Sequence, residues 1–175
     1  MTTANFTFAR EMARKVLKQY KIVDVPTDLK RICEGEGLEF VELDDPEAVD
    51  GMLMELEDGT RVAMVNRAKA YVRGRFTLAH ELGHIFLRHD KRDFYDAEAV
   101  RELGEDVPEN AKPPWEQEAD AFAAELLIPQ EQLKKYQAEL KNPEKLAGIF
   151  QVSRPAMVIA VTNFFGSARN ISGQK

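Results

Sequence analysis

Cysteine is nearly absent from this chain of 175 residues, since Cys33 is the only one. An intrachain disulfide is therefore impossible, which fits a reducing compartment and makes Cys33 most simply a buried apolar side chain. The first twenty residues are interrupted by charges and lack the continuous apolar stretch of a signal peptide. The longest apolar runs, near residues 156–161, are too short to span a bilayer. We therefore expect a cytoplasmic protein with no membrane partner.

An excess of positive charge is lacking as well. The chain has 24 Lys and Arg against 30 Asp and Glu, a formal net charge of -6, so the whole chain has no electrostatic reason to bind nucleic acid. Hydrophobic residues make up 44% and charged residues 31%, as in ordinary folded domains. The length predicts one domain over residues 1–166, followed by a small, polar and flexible tail at 167–175.

The spacing of apolar residues predicts a mostly helical α+β domain. A strand is expected at 38–43 and a hairpin at 51–57 and 60–66, around the two-residue turn Asp58-Gly59, which together form a small antiparallel sheet. The segment 90–114 is acidic and rich in helix breakers, and is expected to be a long connector or lid. Helices are expected at 6–20, 28–34 (capped by Thr27), 76–88, 115–127, 130–140, 143–150 and 153–165.

The strongest chemical signal is the run His80-Glu81-Leu82-Gly83-His84. Histidines four residues apart lie on one face of a helix, one turn apart, so both rings can reach one metal ion. Neutral imidazole is a good zinc ligand. Glu81, one step round the helix, is placed to act on an attacking water as general base.

This short pattern also arises by chance, as two surface histidines on an ordinary helix. The neighbouring residues favour a metal site, because apolar side chains fill nearly all of the helix surface. A helix that is buried except for one polar stripe is typical of the floor of a cleft. The stripe consists of Thr77, His80, Glu81, His84 and Arg88.

The helix predicted at 115–127 supplies a third ligand. At about 100° per residue, Glu116 and Asp120 lie beside its apolar face, whereas Glu118 and Glu125 point away and are expected in solvent. A carboxylate entering the interior needs a partner, so we expect Glu116 to bind zinc and Asp120 to accept the free N–H of a ligating histidine. Three protein ligands and one open position are typical of a catalytic zinc site, with one ion per chain.

Another candidate for the third ligand lies closer in the sequence. In one large class of zinc peptidases a further ligand follows the second histidine after a glycine turn, and Asp90 has that spacing. Leu87 occupies the glycine position, however, where the turn would be strained. His89 is one residue out of register and is interpreted as a histidine at the helix end, near the rim of the cleft. The group that stabilises the oxyanion is left open among Tyr71, Arg75, Arg88, His89 and Tyr95.

Two segments, FTLAHELGHIFL and EQEADAFAAELLIP, resemble the ImmA/IrrE family of metallopeptidases. The resemblance implies a zincin-like domain in which, as in thermolysin-like peptidases, a glutamate of a second helix is the third ligand; here this is Glu116, with Asp120 in the outer shell. It also implies a substrate, because family members cleave helix-turn-helix repressors of mobile-element or stress genes. The strand at 61–66 is expected to be an open edge that holds the substrate backbone.

Two other functions remain open. The helices within 143–165 weakly resemble a helix-turn-helix, but the second is apolar nearly all round, which suits a core or a protein-docking surface better than DNA contact. We therefore expect no direct nucleic-acid partner, although a DNA-binding regulator is an alternative. The other alternative is a zinc-binding partner or toxin-antitoxin component without proteolysis, since access to the site depends on 90–114.

Overall fold

The computed structural model describes residues 3–68, 70–89 and 112–172. It has the predicted class, a mostly helical α+β fold. None of the helices in these ranges combines the length and the apolar character that crossing a membrane requires. The elements are α1 (Phe6–Gln19), α2 (Leu29–Gly35), β1 (Glu39–Leu43), β2 (Gly51–Glu55), β3 (Arg61–Asn66), α3 (Tyr71–Leu87), α4 (Pro114–Leu127), α5 (Gln130–Lys135), a 3-10 turn (Gln137–Glu139), α6 (Pro143–Phe150) and α7 (Arg154–Ser172).

Several helix ends differ from the prediction, and the helix expected at 130–140 is divided into α5 and a 3-10 turn. The cap of α2 is Asp28, whose side chain accepts the Arg31 N–H, while the Thr27 hydroxyl donates to the buried Leu126 carbonyl at 2.7 Å. Helix α3 begins at Tyr71, well before the apolar stretch that marked its predicted start. Helix α7 runs to Ser172, past the predicted end at residue 165, so part of the expected tail is helical. Gly166 does not end the helix, because one glycine costs a helix only about 1 kcal/mol.

The sheet is mixed rather than antiparallel. The predicted β2–β3 hairpin is confirmed, but β1 pairs with β3 in parallel, and the strand order is β1-β3-β2. The chain between β1 and β2 is held by the buried Asn66 amide, which donates to the carbonyls of Asp45, Ala48 and Val49. Because β3 is the central strand, it cannot be the open edge that we expected to hold a substrate. Within the described sheet, the edges are β1 and β2.

Helix α3 passes closely by both the sheet and α4. A Cβ on Gly74 would overlap the carbonyl oxygen of Asp50 at the start of β2. A Cβ on Gly83 would lie 3.2 Å from the Cα of Ala119 and 3.2 Å from a ring carbon of Phe122, both on α4. The two glycines therefore set how near α3 lies to its neighbours, and the second one sets the distance to the helix that carries Glu116.

Candidate metal centre

The structure brings His80, His84 and Glu116 together, as a group that could hold a metal ion. His80 Nε2 lies 3.0 Å from His84 Nε2 and 3.1 Å from Glu116 Oε2, and His84 Nε2 lies 3.4 Å from Glu116 Oε1. Ligand atoms about 2.0–2.1 Å from a tetrahedral zinc ion are roughly 3.3 Å from one another. The observed distances are close to this value, although each histidine faces a different oxygen of the Glu116 carboxylate.

All three side chains are buried, with 7%, 2% and 6% of His80, His84 and Glu116 exposed. Among the described residues, Glu116 Oε1 accepts no hydrogen bond, although His84 Nε2 is near it. A buried carboxylate oxygen without a partner is costly, and a cation would satisfy it. Two imidazole nitrogens and one carboxylate oxygen are also a donor set that suits zinc. The residues present therefore fit the ion that the sequence predicts.

The pKa values of His80 and Glu116 depend on their contacts with each other and with neighbouring charged groups. Burial alone lowers the pKa of His80, but its hydrogen bonds to Asp120 and Glu116 outweigh this effect and raise the pKa to about 9. Burial likewise raises the pKa of Glu116, but the contacts with His80 and His84 hold it well below its usual range. Glu116 is therefore ionised at neutral pH, and a metal ion entering the group competes with a proton on His80.

Asp120 contacts the ring of His80 on the side away from Glu116. Its Oδ1 lies 2.8 Å from His80 Nδ1, and its Oδ2 accepts a hydrogen bond of 2.7 Å from the Lys112 ammonium. An N–H donated from Nδ1 to this carboxylate leaves the lone pair of Nε2 directed toward His84 and Glu116. Burial raises the pKa of Asp120, but the bond to His80 outweighs it, so the pKa is lowered and the carboxylate is ionised.

Local sequence explains why Glu116 enters the group from the start of α4. Pro113 is the N-cap and Pro114 the first helical residue, where a missing N–H costs nothing. Glu116 then lies in the first turn, where the helix dipole favours a carboxylate.

Glu81 is buried beside the group, with 7% of it exposed. On α3 it lies about 100° from His80 and about 60° from His84. It also follows Gly74 by close to two helical turns, so it lies on the side of α3 that meets the start of β2. Around the axis of α3, Glu81 therefore lies between the direction of the two histidines and the direction of Gly74.

Two glutamates of α4 are wrongly predicted to face solvent. Glu125 is buried and forms an ion pair of 2.9 Å with Arg14 of α1. Glu118 is partly buried, and its Oε1 accepts the backbone N–H of Asn5 at 2.6 Å. The physical reason is the same for both, because α1 packs along the side of α4 that a helical wheel of α4 alone leaves free.

The structure narrows the candidates for the oxyanion group. Arg75 donates to the Thr27 carbonyl at 2.8 Å and Tyr71 to Glu42 at 3.4 Å. Both lie on the side of α3 away from the histidine pair, which argues against this role. Arg88 is exposed at the end of α3, and His89 lies against His84. Tyr95 and the rival ligand Asp90 lie outside the described residues, as does most of the expected lid at 90–114.

A solved structure of a Mycobacterium tuberculosis transcriptional regulator has a similar fold, with a TM-score of 0.57 and 15% sequence identity. The match covers 86% of this chain but 45% of the regulator, so the chain spans less than half of that protein. At this identity the likeness shows the fold alone. No curated protein matches the chain significantly.

A family model matches residues 33–162, which include the sheet, both helices of the candidate centre and all three candidate ligands. It describes the IrrE N-terminal-like domain and is a peptidase model. The match covers most of the chain and agrees with the ImmA/IrrE resemblance of the two helical segments. The chain therefore belongs to the IrrE N-terminal-like domain family of peptidases.

Proposed function

We propose that this chain is a zinc-dependent endopeptidase that cleaves a helix-turn-helix repressor at one or a few sites in the cytoplasm. The proposal rests on the close approach of His80 Nε2, His84 Nε2 and the two oxygens of the Glu116 carboxylate, at 3.0–3.4 Å, with the buried Glu81 beside them. Family membership supports metallopeptidase chemistry of this kind.

The residues divide the chemistry between them. His80, His84 and Glu116 would hold the zinc ion. When bound, zinc lowers the pKa of water and polarises the carbonyl of the scissile peptide bond. Glu81 takes a proton from the attacking water and delivers it to the leaving amine. Asp120 keeps His80 in the tautomer that has its free lone pair on Nε2.

The sheet suggests how a substrate would bind. An edge strand presents N–H and C=O groups to which an extended peptide can add as a further strand. Of the two edges of the described sheet, β2 is the one that starts against α3, on the side of the helix where Glu81 lies. We therefore propose that the substrate adds to β2 instead of the central strand β3.

The repressor as substrate rests on the family resemblance, and two properties of the chain agree with a protein partner. The net charge of -6 does not favour DNA. Up to residue 166, helix α7 exposes several apolar side chains, including Val158 at 40%, Ile159 at 61% and Phe165 at 46%. Apolar side chains of this kind contribute little to phosphate binding.

The test uses Glu81→Gln, which keeps the shape of the side chain but removes the base. Wild type and variant are incubated with a repressor encoded beside the gene, and the products are mapped by mass spectrometry. We expect one or a few zinc-dependent cuts by wild type, whereas Glu81→Gln should retain zinc, bind the repressor and leave it intact.

Glu144→Gln is the matched control, because Glu144 lies on α6 in an exposed pair with Arg154. It should cut like wild type. Equal cleavage by Glu81→Gln would remove Glu81 from its role. A zinc-loaded wild type that binds the repressor but leaves it uncut would show the non-proteolytic partner instead.

A further inference from the structure

The ring of His84 contacts a second histidine on the side away from Glu116. His84 Nδ1 lies 2.8 Å from Nδ1 of His89, and Nε2 of His89 lies 3.2 Å from Glu118 Oε2. The other oxygen of Glu118 accepts the backbone N–H of Asn5, the N-cap of α1. A continuous series of contacts therefore leads from a candidate metal ligand to the start of α1.

The last turn of α3 explains why His89 reaches His84. The backbone N–H of His89 donates to the His84 carbonyl at 3.1 Å, and that of Arg88 donates to the Ile85 carbonyl at 3.2 Å. Together with the left-handed conformation of Arg88, at φ 59°, these two bonds form a Schellman motif, which brings the side chains of its first and last residues together. Here those two residues are both histidines.

The hydrogen-bond partners select one arrangement of protons. Two nitrogens 2.8 Å apart share one hydrogen, so one of them must be an acceptor. A carboxylate only accepts, so Glu118 takes the Nε2–H of His89, and Nδ1 of a neutral His89 carries a lone pair. His89 Nδ1 then accepts the Nδ1–H of His84. In this tautomer His84 Nε2 is unprotonated and points at His80 and Glu116, as a metal ligand must.

We propose that His89, held by Glu118, is the positioning residue for His84, as Asp120 is for His80. This inference rests on the proposed metal role of His84. The two imidazole ligands therefore have different partners. Asp120 contacts His80 directly, whereas Glu118 contacts His84 only through His89. Glu118, which the sequence placed in solvent, becomes a part of the metal site.

The experiment measures zinc affinity of the full chain by competition with a chromophoric chelator. Loss of an outer-shell partner commonly costs about 10–100-fold in metal affinity, and we expect His89→Ala to fall in this range. Glu118→Ala should show a smaller loss. The double variant should bind no more weakly than His89→Ala alone, because Glu118 acts through His89. Glu144→Ala, which removes an exposed carboxylate on α6, should bind zinc like wild type.

Two further measurements separate positioning from a general effect on folding. In His89→Gln the amide oxygen can accept the His84 N–H, so this variant should recover part of the affinity. The visible absorption of bound Co²⁺ depends on coordination geometry, and His89→Ala should change it while the melting temperature of the metal-free protein stays near that of wild type.

The possible outcomes are distinct. Zinc affinity of His89→Ala within about threefold of wild type, against the 10–100-fold expected, would overturn the positioning role. Additive losses in the double variant would show that Glu118 does not act through His89. If His89→Ala fails to fold, His89→Leu, which also cannot accept the His84 N–H, decides the question by the same thresholds, provided that its circular dichroism is unaltered. A wild type that binds no zinc would instead overturn the metal site and the proposed function together.

Discussion

Gly83 determines how closely the two halves of the candidate metal site approach each other, and Gly83→Ala tests this directly. The new Cβ would lie 3.2 Å from the Ala119 Cα and 3.3 Å from the Ala119 carbonyl oxygen, which is tighter than ordinary van der Waals contact. Ala119 follows Glu116 by about one turn of α4. A displacement of α4 by a few tenths of an ångström therefore moves Glu116 away from His80 and His84.

Two opposing terms set the change in stability. Overpacking of this kind costs about 1–3 kcal/mol, while alanine is favoured over glycine in a helix by about 1 kcal/mol. The free energy of unfolding of the metal-free protein should therefore fall by roughly 0–2 kcal/mol. The metal site has less tolerance, because functional sites must be held within about 0.5 Å of their working geometry, and we expect zinc affinity to fall on the order of tenfold.

Gly148→Ala is the matched control. Gly148 also lies within a helix, α6, but among the described residues its Cβ would meet no heavy atom within 4 Å beyond its chain neighbours and the backbone of its own helix. Unfolding in urea should show a gain of about 0.5–1 kcal/mol for this variant, and chelator competition should show wild-type zinc affinity. If Gly83→Ala gains as much stability and keeps its zinc, then close contact at Gly83 does not position the site.

The metal ligands and the protonation of the site give the remaining predictions. Elemental analysis of wild type should find one zinc per chain, whereas Glu116→Ala should lose most of the zinc. In chelator competition, Asp120→Ala should bind zinc about 10–100-fold more weakly than wild type. Full retention of zinc by Glu116→Ala would contradict the ligand set. In the folded state the pKa of His80 is raised from its ordinary 6.5 to about 9. Protonation of His80 therefore stabilises the folded, metal-free protein. This contribution is complete below pH 6.5 and is lost as the pH rises through about 9. Urea unfolding between pH 6 and pH 9.5 should show this decline in wild type and a smaller one in His80→Gln; identical slopes would contradict the assigned shift.

Local sequence patterns were sufficient to predict that His80, His84 and Glu116 lie together. The histidine pair and the Glu116–Asp120 pair each lie one turn apart on an amphipathic helix, so their common face follows from helical geometry alone. The hairpin of β2 and β3 was found for the same reason, because its turn and both strands are adjacent in the chain.

Features that depend on packing between distant segments were missed. The parallel pairing of β1 with β3 is fixed by the path of the intervening chain around Asn66, for which the sequence shows no local signal. Glu118 and Glu125 meet Asn5 and Arg14 because α1 lies along α4, more than a hundred residues away in sequence. The role of His89 was missed because it depends on the left-handed turn that ends α3.

The division of the site between two segments has a consequence for the integrity of the chain. His80 and His84 precede residues 90–111, whereas Glu116 and Asp120 follow them. Helices α3 and α4 touch directly, at Gly83 and through the stacked rings of Phe86 and Phe122, whose centroids are 5.8 Å apart. A metal ion bound between them is therefore a noncovalent crosslink between two fragments. After a cut between residues 90 and 111, we expect the fragments to stay associated with the ion and to separate more readily once a chelator removes it.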